Sequence, residues 1–104
     1  MEFLVEFEVS VPSGTPASEV RDREQDEASA ATRLVEEGHL VRLWRRAGAS
    51  GATAAIGLYR AGSQAELDEL LQALPLYEWL HVTVSPLEPH PNDPVAALAE
   101  GSAR

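Results

Sequence analysis

Hydrophobic and polar residues alternate from the start of the chain. Phe3, Val5, Phe7, Val9 and Val11 fall on one side, and Glu2, Glu6, Glu8 and Ser10 on the other, with Leu4 the exception. A period of two marks a half-buried β-strand, and Pro12-Ser13-Gly14 ends it. From Thr15 the period changes. Thr15-Pro16 reads as an N-cap followed by proline at the first helical position, and no further glycine or proline occurs until Gly38. Ala17, Val20, Ala28, Ala31, Leu34 and Val35 recur at helical spacing, so the pattern predicts a long helix over 16–37.

Two residues break the polarity of that helix. With about 100° per residue, Glu27 lies about 20° to one side of Val20 and Glu24 about 40° to the other, so both carboxylates project from the apolar stripe. A carboxylate there needs a cation, hydrogen bonds or a polar cavity, because burial alone disfavours its charged form. Glu27 therefore has two readings: an ion-paired structural residue or an acid/base group.

The segment 40–46 reads as a second strand, with Leu40, Arg42, Trp44 and Arg46 on one side and Val41, Leu43 and Arg45 on the other. After a turn at 47–51 a third strand runs over 53–60, which makes 40–60 a hairpin with a long loop. Ser63-Gln64-Ala65-Glu66 matches a capping box, and Leu67, Leu70, Leu71 and Leu74 supply the stripe of a second helix that stops at Pro75. Trp79 to Ser85 alternates as a fourth strand. Pro86, Pro89, Pro91 and Pro94 then favour an extended arm. The order β-α-β-β-α-β predicts an α+β, ferredoxin-like domain over 1–88, with a four-stranded antiparallel sheet covered by two helices on one face. Residues 89–104 form a proline-rich arm, expected to contact another subunit or to be partly disordered.

Composition narrows the chemistry. The 104 residues carry a net charge of −9, which argues against nucleic acid or an anionic membrane as partner. With no cysteine, disulfides and thiolate chemistry are excluded, and His39, His81 and His90 share no metal-site spacing. No metal or cofactor is indicated. Neither a secretory signal nor a membrane-spanning segment is recognisable, so a cytoplasmic location is the default expectation. Against the acidic background, the stretch 38–46 concentrates three of the eight basic residues and one of the two tryptophans. Such a ribbon suits an anionic or planar ligand, or a neighbouring subunit.

Several of these residues line up with a known family. Met1-Glu2-Phe3-Leu4-Val5, the long helix containing Glu27, Gly38, Leu43-Trp44-Arg45, Gly48, Leu74-Pro75-Leu76 and His90-Pro91 resemble the muconolactone Δ-isomerase family over about residues 1–94. The resemblance implies a ferredoxin-like subunit, a homodimer or a larger homo-oligomer (a decamer in the family), and a cofactor-independent isomerase of aromatic catabolism through 3-oxoadipate. Its substrate would be a small anionic lactone whose double bond is shifted by proton abstraction and return. Glu27 is then the candidate base, and Arg45, Arg42, Trp44 and His39 are candidates for holding the substrate. The family pattern favours Arg45 as the carboxylate clamp, whereas strand alternation groups Arg42 with Trp44. Departures from the pattern fall at Ala28, at Arg42 and in the 47–53 loop. They keep open a relative acting on another lactone or a cyclic biosynthetic intermediate, and also a non-catalytic oligomeric binding protein.

Overall fold

The structure, a computed structural model, describes residues 1–46 and 54–95. The expected hairpin loop at 47–53 and the end of the arm, 96–104, lie outside the described residues. Within them the order is β1 (Glu2–Val9), α1 (Ala17–Glu36), β2 (Leu40–Arg45), β3 (Ala54–Arg60), α2 (Gln64–Gln72), a 3-10 turn (Tyr77–Trp79) and β4 (Leu80–Leu87). The strands form one sheet in the order β2-β3-β1-β4, antiparallel at every junction. This is the ferredoxin-like arrangement that the sequence predicts.

The alternation in β1 works as read. Phe3, Val5 and Phe7 point to the helices and are buried with Ala30 and Leu34 of α1, Leu67 and Leu71 of α2, and Leu74. Tyr59 joins this layer from β3, 3% exposed, its ring tilted against Phe7 at 6.0 Å between centroids. Gly57 makes that placement feasible. A Cβ there would lie 2.5 Å from Tyr59 Cε1, so the phenol lies back along β3 over a position that must stay bare.

Ends of elements depart from the expectations for local reasons. Thr15 does not cap α1; its hydroxyl donates to the Pro12 carbonyl (2.7 Å) and closes the preceding turn, leaving Pro16 as the capping residue without a side-chain bond. Gly38 does terminate α1. With φ +80° it lets its own N–H reach the Val35 carbonyl and that of His39 reach Leu34, the paired bonds of a Schellman end. Ser63 caps α2 by accepting from the Glu66 N–H at 3.1 Å. The fourth strand begins one residue later than predicted, because Trp79 belongs to the 3-10 turn. It also continues through Pro86 to Leu87, and an edge strand tolerates the missing N–H.

The largest difference from the strict alternation lies in β2. Leu40 pairs with Tyr59 but Arg42 pairs with Leu58, so Val41 is an extra residue, a β-bulge. The bulge changes the phase of the strand. Leu40 faces the helices and is buried, whereas Arg42 and Trp44, downstream of it, take the opposite face. Leu43 and Arg45 share the helix side with Leu40, so the expected grouping of Leu40 with Arg42 and Trp44 does not hold.

Candidate active site

Glu27 sits about midway along the 20 residues of α1, on the side turned to the sheet, and is half-buried. One carboxylate oxygen, Oε1, accepts the Leu76 N–H at 3.2 Å. No cation lies within ion-pair distance of it among the described residues. Burial raises its pKa above the ordinary 4.5, and the Leu76 N–H partly opposes that rise. Of the two sequence readings, the ion-paired one finds no partner among the described residues.

The carboxylate opens into a cleft of about 450 Å³. Val9, Val11, Val20, Ala28, Ala31, Leu43, Leu76 and Trp79 make its wall, and Glu24, one turn before Glu27, stands exposed at the edge. Behind it lies a deeper recess of about 170 Å³, which shares Val9, Glu27, Ala31, Leu43 and Leu76 with the outer cleft and adds Tyr59, Phe7, Leu40 and Leu80. Glu27 lines both spaces. Tyr59 is the second polar side chain of the recess, and burial and the Glu27 charge push its phenol up to about 12. It therefore presents a neutral O–H at ordinary pH.

Of the other residues singled out in the sequence, Arg45 lies on the cleft side of β2, two positions beyond Leu43, and is exposed. Arg42 and Trp44 are on the far face of the sheet, the guanidinium stacked over the indole at 4.9 Å. His39 lies beyond the end of α1, about three turns from Glu27. Its Nδ1 is 2.9 Å from the Arg60 carbonyl and 3.9 Å from Glu66. Within one chain, then, Glu27 and Arg45 share a side of the sheet, and Arg42, Trp44 and His39 stand elsewhere.

Three contributors were not evident from the sequence pattern: Tyr59, the Leu76 N–H and Arg23. Arg23 lies one turn before Glu27 and stacks on Trp79 with its guanidinium carbon 4.4 Å from the ring centroid. It donates through Nη1 to the Pro75 carbonyl at 3.3 Å, and Glu19 and Glu78 approach it at 3.6 and 3.8 Å. The i,i+4 spacing to Glu27 was a usable signal for Arg23. The hydroxyl of Tyr59 had none, because its alternation reads as packing alone.

Comparison with known proteins decides the ancestry. The family profile of muconolactone Δ-isomerase matches residues 1–93. The chain belongs to the muconolactone Δ-isomerase family. Muconolactone Δ-isomerase of Cupriavidus pinatubonensis is 34% identical over 92 residues, covering 88% of this chain and 97% of that protein. Muconolactone Δ-isomerase 2 of Acinetobacter lwoffii is 34% identical over 90 residues, covering 86% and 91%. Among solved structures, a muconolactone isomerase crystal structure superposes with a TM-score of 0.80 at 30% identity, over 88% of this chain and 93% of that one. A 5-chloro-2-hydroxyhydroquinone dehydrochlorinase of Burkholderia phenoliruptrix, seen with 2,5-dihydroxybenzoquinone, matches at a TM-score of 0.63 and 16% identity over 86% and 96%. That likeness is one of fold. The family is one of isomerases, and its cleft in this chain holds a single half-buried carboxylate.

Proposed function

We propose that the protein is a cofactor-independent isomerase acting on muconolactone or a closely similar anionic butenolide. The observation that carries the reading is Glu27: a carboxylate with a raised pKa, without a cationic partner among the described residues, opening into an apolar cleft in a chain of this family. A general base for a carbon-bound proton needs this combination of basicity, access and shelter from water.

In the proposed reaction, Glu27 takes the proton from the ring carbon that bears the carboxymethyl group. The C–H electron pair moves through the ring double bond to the lactone carbonyl oxygen, giving a planar dienolate. Glu27, now protonated, returns the proton to the carbon next to that carbonyl, and the electrons flow back to leave the double bond in its new position. Charge that gathers on the carbonyl oxygen needs a donor. Tyr59 supplies a neutral O–H from the recess wall. Arg45, on the same side of the sheet, is the proposed clamp for the carboxylate of the substrate.

The far face of the sheet completes the picture as a subunit contact. Trp44 and Leu87 are 41% and 40% exposed there, and Arg42 and Trp44 are proposed to serve a homodimer or larger ring rather than the cleft of their own chain. The arm from residue 89 is assigned to the same contacts. No helix of the described residues is long and apolar enough to cross a membrane. A cytoplasmic role in aromatic catabolism through 3-oxoadipate is proposed on the family alone.

The test is direct. Purified protein should shift the ultraviolet spectrum of muconolactone and exchange its ring proton with deuterium from solvent. Glu27→Gln should lower both by at least about 10²-fold while keeping the fold. Absence of turnover and of exchange by the wild-type protein removes this substrate, and turnover in Glu27→Gln within about tenfold of the wild type removes the assigned base.

A further inference from the structure

The carbonyl that accepts from Arg23 and the N–H that Glu27 holds belong to one peptide group. Arg23 Nη1 donates to the Pro75 oxygen at 3.3 Å, and the Leu76 nitrogen of that same amide donates to Glu27 Oε1 at 3.2 Å. Two side chains one turn apart on α1 thus grip the Pro75–Leu76 peptide at its two ends. We propose that Arg23 is a positioning residue for Glu27, acting on the carboxylate through this peptide. The proposal rests on the reading of Glu27 as the base.

Donation to the carbonyl oxygen draws electron density along the amide and makes its N–H a stronger donor, the cooperative behaviour of linked hydrogen bonds. A positive group on the oxygen does this more than a neutral one. Arg23 also fixes where the peptide stands. Its guanidinium carbon lies over the Trp79 ring, 4.4 Å from the centroid, and a planar fork held against an aromatic ring loses less freedom than a free side chain on making the bond. Trp79 itself is buried and lines the cleft. The chain leaving α2 is therefore pinned where the base needs its one hydrogen bond.

The other charged or titratable groups around Glu27 do not duplicate this. On α1 Glu24 is exposed at the edge of the cleft; on the 3-10 turn Glu78 is turned to Arg23 at 3.8 Å; on β3 Tyr59 is neutral; on β2 Arg45 is exposed. From β1 and the segment just after it the wall is Val9 and Val11. The Leu76 N–H favours the ionised form of Glu27. Weakening that donor by removing Arg23 consequently moves the titration of Glu27 to higher pH.

The experiment follows Glu27 and Leu76 by NMR in protein labelled with carbon-13 and nitrogen-15. In the wild type, the Glu27 carboxyl carbon and the Leu76 amide should titrate with a common midpoint. Arg23→Met keeps the stem against Trp79 but removes fork and charge; its Glu27 midpoint should rise by about half a unit to one unit. The acid limb of kcat/KM against pH should move with it, lowering activity roughly threefold to tenfold below the midpoint. Arg23→Lys should fall between Arg23→Met and the wild type, and it decides the matter alone if Arg23→Met does not fold. A midpoint unmoved in a folded variant overturns the proposal, as does a Leu76 amide that ignores the titration of Glu27. Loss of thermal stability with an unmoved midpoint overturns it too, since Arg23 would then only pack Trp79. The titration needs no substrate: a protein inert toward muconolactone refutes the isomerase reading, while the midpoints still decide the role of Arg23.

Discussion

The two faces of the sheet treat charge in opposite ways. On the open face carboxylates and guanidiniums meet across strands in solvent, Arg46 with Glu6 at 3.2 Å and Arg60 with Glu2 at 3.1 Å, while Arg42 lies over Trp44 of its own strand. On the helix face one carboxylate, Glu27, is half-buried, with a single backbone hydrogen bond among the described residues. Exposed pairs gain little because water competes and side chains must be ordered to form them. A lone carboxylate in an apolar wall is held at a cost to stability. The second arrangement leaves a carboxylate with a raised pKa, and the fold supports it with the core formed by Phe3, Val5 and Leu67.

Breaking the helix-face arrangement should have the largest effects. Glu27→Gln is expected to lower turnover of muconolactone by about 10²- to 10⁴-fold, the range for loss of a general base, as measured by steady-state spectrophotometry. Tyr59→Phe keeps the ring over Gly57 and removes only the donor; kcat should fall on the order of 10²-fold, with little change in KM. Unchanged kcat would return Tyr59 to a packing role.

Stability against pH sharpens the contrast further. The folded pKa of Glu27 is raised above 4.5, so between that value and the folded midpoint the native state binds more protons than the unfolded chain. Stability from this group is full below 4.5 and is lost as pH rises through the folded midpoint. Glu27→Gln should therefore melt above the wild type at neutral pH, by an amount that shrinks on acidification toward 4.5. Tyr59 acts likewise at the alkaline end. Its contribution is complete below 10 and is lost as pH approaches 12, so Tyr59→Phe should remove part of the alkaline loss of melting temperature.

The open face should yield the smallest numbers. A double-mutant cycle of Glu6→Ala with Arg46→Ala, both side chains more than 40% exposed, should give a coupling below about 1 kcal/mol that falls with added salt. Coupling of several kcal/mol would mean that the proposed subunit contact covers this pair as well as Trp44 and Leu87.

Much of this was legible in the sequence because it obeys local rules. Alternation in β1, the stripe of α1, Gly38 and the Ser63 cap each specify their element without tertiary help. Glu27 was legible for the opposite reason, as a charge on a face that should have none. Edges and phase were harder. The continuation of β4 through Pro86 depends on its being an outer strand, which only the assembled sheet decides, and the Val41 bulge looks like any other residue of a strand. The contacts of Arg23 and Leu76 join positions 49 to 52 residues apart in sequence, a distance that no periodicity reports.

The bulge at Val41 also has a hereditary meaning. It holds one residue that pairing does not need, so the strand could lose a codon and close up without disturbing its neighbours. Deletion of Leu43 would straighten β2, with Val41 taking the place opposite Leu58 and Arg42 the place opposite Gly57, while Trp44 and Arg45 kept their partners Ile56 and Ala55. The position on the cleft wall now held by a leucine would then carry a guanidinium, on the side of the sheet where Glu27 stands. One in-frame deletion thus separates the present apolar wall from a cationic one, which makes the spare residue of β2 a short evolutionary route to a second clamp for an anionic substrate.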